Sequence, residues 1–165
     1  MANDRNILRV ERKRIELEKF RDLVLAAIEY QLQDTSARIK TDDFDSDIHF
    51  ESLKKQGLEH YDNGRLIKLK QWFRDLTEMH IEARNLNFNK YLQTETRYDI
   101  DIFEDYFKRV EKIVQAGKIT TDNQYYDIST LVDHLCNQHT SDNERIRTLN
   151  DLLRTYEAKK SKKRG

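Results

Sequence analysis

A chain of 165 residues with no proline and only four glycines lacks the residues that end strands, shape tight turns and break helices. Long helices are the open outcome, because little in the sequence interrupts the backbone hydrogen-bond ladder of an α-helix. The expected fold is all-α: an irregular bundle of about six helices, three of them long, closed by a disordered basic tail. Residues 1–158 read as a single helical domain and 159–165 as the tail, since a chain of this length buries enough surface to stand without a metal or disulfide.

Hydrophobic periodicity divides the chain further. Over about residues 4–33, Ile7, Leu8, Ile15, Phe20, Val24 and Ile28 recur mostly at three- and four-residue steps, which predicts one long amphipathic helix. Its first half alternates basic and acidic residues from Arg9 to Arg21, so its second half is expected to supply the core. Residues 34–47, DTSARIKTDDFDSD, are rich in side chains that bond their own backbone and predict a loop. A shorter helix follows from Ile48 to Tyr61, with Phe50, Leu53, Leu58 and Tyr61 inward and Asn63-Gly64 as its stop.

Leu66, Leu69, Phe73, Leu76, His80 and Ala83 then keep the alternating step of a coiled-coil seam, widened by Ile67, Trp72, Met79 and Leu86. Beyond Ala83 the asparagines Asn85, Asn87 and Asn89 leave a kink, a frayed end or a continued helix as alternatives. The clearest helix is expected from near Asp99, with Phe103, Tyr106, Val110 and Ile113 on one face and Gly117 at its stop. Thr120 or Thr121 can cap the next helix, and Ser141 with Glu144 forms a capping box for the last.

Thirty basic residues balance thirty acidic ones, which removes the charge argument for a protein that coats nucleic acid or an anionic membrane. Any such contact must be local, and the tail Lys159, Lys160, Lys162, Lys163 and Arg164 is the candidate for nucleic acid. The lone Cys136 excludes an internal disulfide, fits a reducing compartment such as the cytoplasm, and is expected as buried packing. No apolar run approaches the length of a membrane span, and Met1 to Val10 lacks a signal-peptide pattern.

No residue set makes a convincing metal or cofactor site, so none is assigned. Asp43, Asp45 and Asp47 open like a calcium loop, but Ile48 stands where that loop needs glycine and Lys54 where it needs glutamate. His134 and His139 flank Cys136, yet their helical directions diverge. Glu78, His80 and Glu82 have the wrong spacing for a helical di-iron site, and there is no second motif.

The segment from Arg74 to His80, RDLTEMH, sets an arginine and a histidine five intervening positions apart. It resembles the signature of HEPN ribonucleases, small all-α proteins in which arginine and histidine from two protomers meet at a dimer interface and cleave RNA. The resemblance implies a metal-independent homodimeric ribonuclease with Arg74 and His80 catalytic. The chemistry is coherent, because histidine can transfer protons near neutral pH and arginine can stabilise a developing phosphorane.

In the absence of a phosphate loop, metal cluster or nucleophile–base pair, the leading expectation is a non-catalytic helical interaction or assembly protein. It would be a small subunit of a larger complex, binding a protein partner or a second copy through the Leu66–Ala83 seam, the long N-terminal helix with its charged first half, or the asparagine-rich continuation, with no small-molecule substrate evident. A third expectation is a helix-turn-helix DNA binder built from 121–137 and 143–156, with Arg145, Arg147 and Asn150 facing bases.

Overall fold

A computed structural model describes residues 2–138 and 142–165. The described residues are all-helical, and the helices gather into two compact units, one ending at Asp101 and the other beginning at Ile102.

The first unit contains α1 (Ala2–Gln33), α2 (Ser46–Asp62), α3 (Leu66–Glu82) and α4 (Leu86–Thr96). Paired contacts give their directions. Lys54 meets Glu29 and Tyr61 meets Arg21, so α2 runs antiparallel to α1. Lys70 meets Glu16, Phe73 meets Phe20 and His80 meets Gln31, so α3 runs parallel to it. Tyr91 packs on Tyr30 while Tyr98 reaches Asp22, so α4 descends antiparallel.

At the centre lie Leu23, Val24, Ala27 and Ile28 of α1, closed over by Leu69 and Phe73 of α3 and by Leu86, Phe88 and Leu92 of α4. Helix α2 contributes differently. Its buried positions are Ser46 and Gly57, and the glycine lies close beside Val24 of α1. Leu58, expected inward, is exposed, as are Ile67 and Met79, because α1 covers only one side of each neighbouring helix.

Three helix ends explain the path. Gly64 at φ +65° lets Arg65 donate to the carbonyl of His60 and Gly64 to that of Tyr61, which closes α2 in a Schellman turn. The same bonds recur after α3, from Asn85 to His80 and from Arg84 to Ile81, but here Arg84 takes the left-handed conformation at φ +53°. Asn85 then caps α4, its side chain accepting from Phe88 N–H, so the asparagine-rich segment is a separate, capped helix.

The second unit contains α5 (Glu104–Ala116), α6 (Asp122–Cys136) and α7 (Asn143–Arg164). Helix α5 begins five residues later than expected: Arg97 is left-handed at φ +57°, and residues 97–103 form no helix. Gly117 at φ +68° ends it, and Thr121 caps α6 by accepting from Gln124 N–H. Phe103, Tyr106, Val110 and Ile113 pack with Ile128, Leu131 and Leu149, and Tyr106 Oη donates to the Asp127 carbonyl at 2.6 Å. Asp142 caps α7 through Arg145 N–H; the expected cap Ser141 lies outside the described residues.

The basic end is helical rather than disordered, since α7 continues to Arg164. Lysines propagate helix well, cations favour a helix C-terminus, and Lys160 is anchored by Asp122 at 2.6 Å. Cys136, expected to be buried, is exposed at the last turn of α6. Among the described residues no helix is long and apolar enough to cross a membrane.

Candidate interaction surface

Helix α1 is about 48 Å long at 1.5 Å per residue, and only its second half is covered. The reason lies in its own sequence. Carried back at about 100° per residue, the direction of Val24 and Ala27 falls on Arg9, Lys13 and Glu16, with Arg5 and Arg12 at its edge. The stripe that forms the core in the second half is therefore ionic in the first, and no neighbouring helix can bury it. The ion pair of Glu16 with Lys70, at 3.0 Å, marks the limit of the packed region.

Residues 4–16 are exposed throughout, and Ile7, Leu8, Val10 and Ile15 are each more than half accessible. Five basic side chains stand against two acidic ones over residues 4–15. Arg14 pairs with Glu11, while Arg5, Arg9 and Arg12 flank Leu8 along a shallow groove. Arg5, Leu8, Arg12 and Ile15 fall within about 80° of one another, making a ridge that alternates basic and apolar residues.

The Leu66–Ala83 seam has a different fate from that expected of a free partner surface. Leu69, Phe73 and His80 are buried against this chain's own α1, Leu66 and Leu76 are half-buried, and Ala83 is exposed. His80 sits at the end of the core, its ring stacked on Phe88 at 3.8 Å and edge-on to Tyr30. Its Nε2 lies 2.8 Å from the Gln31 amide and its Nδ1 lies 3.2 Å from the Asn85 amide. Both neighbours present amide nitrogens, which donate, so a neutral imidazole in either tautomer accepts at one ring nitrogen. Burial holds the His80 pKa below its ordinary value, only partly offset by the Asp34 carboxylate. Arg74 is exposed on another face of α3, about 120° away by helical direction, so one protomer does not bring the two together.

In the second unit Lys159, Lys162 and Lys163 share one face of α7, whereas Lys160 is held by Asp122 and packs on Tyr156; Arg164 is exposed on a neighbouring face. Tyr125 meets Tyr156 and Glu157, and Asp122 meets Tyr156 and Lys160, so the start of α6 lies at the far end of α7. The two helices form an antiparallel hairpin, in contrast to the steep crossing of a helix-turn-helix. Arg145 is paired with Glu111, Arg147 is exposed and Asn150 is half-buried.

A cleft of about 250 Å³ between α5 and α6 is lined by Arg109, Lys112, Lys118, Gln124 and Asp127. Several of its polar groups bond one another: Arg109 reaches Asp127 at 3.3 Å, and Gln124 Oε1 accepts from Thr120 N–H and Oγ1. Among the described residues no group of histidine, cysteine and carboxylate side chains could hold a metal. His134 bonds Gln138 at 2.8 Å, and His139 lies outside the described residues.

The seam and the charged first half of the N-terminal helix both stand out in the sequence, but the ridge of Arg5, Leu8, Arg12 and Ile15 within that half does not. The signal was present as the point where the buried stripe of α1 changes from apolar to ionic. Comparison of the chain with protein-family models, with curated proteins and with solved structures found no match.

Proposed function

We propose that the chain is a non-catalytic helical interaction protein of the cytoplasm, a small subunit of a larger assembly, whose binding element is the first half of α1. The observation that carries this reading is the exposure of Ile7, Leu8, Val10 and Ile15 on a helix that continues directly into the core. Burying the exposed parts of these four side chains against a partner is worth on the order of 4 kcal/mol. The helix is also pre-formed, which lowers the ordering cost of binding. Local contact with nucleic-acid phosphate through Lys159, Lys162 and Lys163 fits the same reading, because helical spacing sets all three on one side.

Affinity capture of the full-length chain from its native cells, with both proteins and nucleic acids identified, tests it. A variant carrying Ile7→Asp, Leu8→Asp and Ile15→Asp should keep its helical circular dichroism and lose a defined set of co-purifying proteins. Recovery of the same set by the variant, or of none by the wild type, would remove the reading.

A further inference from the structure

Zero net charge conceals two poles at opposite ends of α1. One is the ridge of Arg5, Leu8, Arg12 and Ile15, with Arg9 beside it; among the described residues its three arginines make no ion pair. The other follows the C-terminus of α1, where residues 39–46 fold into a tight turn. Thr41 N–H donates to the Phe44 carbonyl at 2.7 Å, Ser46 N–H to the Ile39 carbonyl at 2.9 Å, and Ile39 N–H to Ser46 Oγ at 3.0 Å.

Asp42 and Asp43 stand exposed at the tip of this turn with no ion pair among the described residues. Neighbouring charges are already neutralised, Asp45 by Lys40 and Asp47 by Arg38. Around the tip Ile39, Phe44 and Ile48 are exposed, the Phe44 ring tilted against that of His49 with centroids 5.6 Å apart. Each pole thus combines unpaired charge of one sign with exposed apolar side chains, and the signs are opposite.

Building on the interaction reading above, we infer that the partner of the α1 ridge is a second copy of this chain, docked head to tail. Arg5 and Arg12 of one copy face Asp42 and Asp43 of the next, while Leu8 and Ile15 cover Phe44 and Ile48. The two patches lie about 40 Å apart on one molecule, too far for α1 to reach its own turn, so the contact is intermolecular. It is also heterologous: each copy keeps a free ridge and a free turn, and growth continues until a ring closes or a filament extends. Both surfaces are small, so association is weak, depends on concentration and weakens as salt screens the charges.

Sedimentation velocity of the full chain tests this at about 50 mM and about 500 mM salt, straddling the range in which screening becomes severe. The expected result is an average mass that rises with protein concentration at low salt and falls toward monomer at high salt. Arg5→Glu with Arg12→Glu should abolish the rise, as should Asp42→Lys with Asp43→Lys. An equimolar mixture of the two variants should restore it, since the intact ridge of one then meets the intact turn of the other. A wild type that is monomeric under every condition overturns the inference, as does association that survives either reversal or fails to return in the mixture. If the wild type is monomeric yet the triple aspartate variant still loses its captured proteins, only the self-association falls and the interaction reading stands.

Discussion

Replacing Phe88 by alanine should test the packing of the first unit most directly. Phe88 has no accessible surface, stacks on His80 at 3.8 Å and meets Tyr30 edge-on at 4.9 Å. Phenylalanine-to-alanine changes in cores cost about 3–5 kcal/mol, and each lost aromatic contact adds about 0.5–1.5 kcal/mol to the area contribution. Complete burial between two ring partners places Phe88→Ala near the top of that range, at about 4–5 kcal/mol. With a guanidinium slope of about 4 kcal/mol per molar, the unfolding midpoint should fall by roughly 1 M. Trp72 is the sole tryptophan and stands on α3 against His60, so its fluorescence reports on the first unit specifically. A loss below about 1 kcal/mol would refute the placement of α4 against α1 and α3, because no fully buried phenylalanine is so easily replaced.

Gly57→Ala should do the opposite and stabilise. A Cβ built there meets Val24 Cγ1 at 3.5 Å, ordinary contact, while the helix interior gains about 1 kcal/mol from losing a glycine. The Trp72-monitored melting temperature should rise by about 2–4 °C; a fall would mean that α2 and α1 cannot spare the space. pH offers an independent test, because His60 and His80 both have pKa values held below 6.5 in the folded chain. Burial is the first cause in each case, joined for His60 by Arg65 and Lys68. The unfolded chain therefore binds protons first as pH falls through 6.5, so stability should hold above that value and decline below it. Guanidinium midpoints at pH 7.5 and 5.5 should differ in that sense, and a midpoint that rises toward pH 5.5 would contradict the burial of both rings.

How much of this was legible depended on whether the signal was local. Gly64 and Gly117 announced helix ends because a left-handed residue is nearly free for glycine, and both helices stop there. The end of α3 was not legible, since Arg84 adopts the same conformation against its preference. The strain is accepted because Asn85 caps α4 and bonds both His80 and Tyr30, contacts that only the folded chain can supply. The late start of α5 has the same origin: Gln93 donates to the Ile100 carbonyl and Tyr98 to Asp22, which holds the segment out of helix despite its apolar spacing.

The candidate surface follows the same rule. A stripe of Leu69, Phe73 and His80 is equally suited to a partner and to this chain's own α1, because periodicity tells which face is apolar but not what covers it. The absence of proline, the few glycines and the three- and four-residue apolar spacing together determined that the chain is helical, since backbone hydrogen bonding is satisfied locally in each helix. Tertiary structure decided which of the apolar side chains on helix-spaced faces stay open, among them Phe44 and Ile48 at the turn and Ile67 and Met79 on α3, because only packing shows which side of each helix α1 covers.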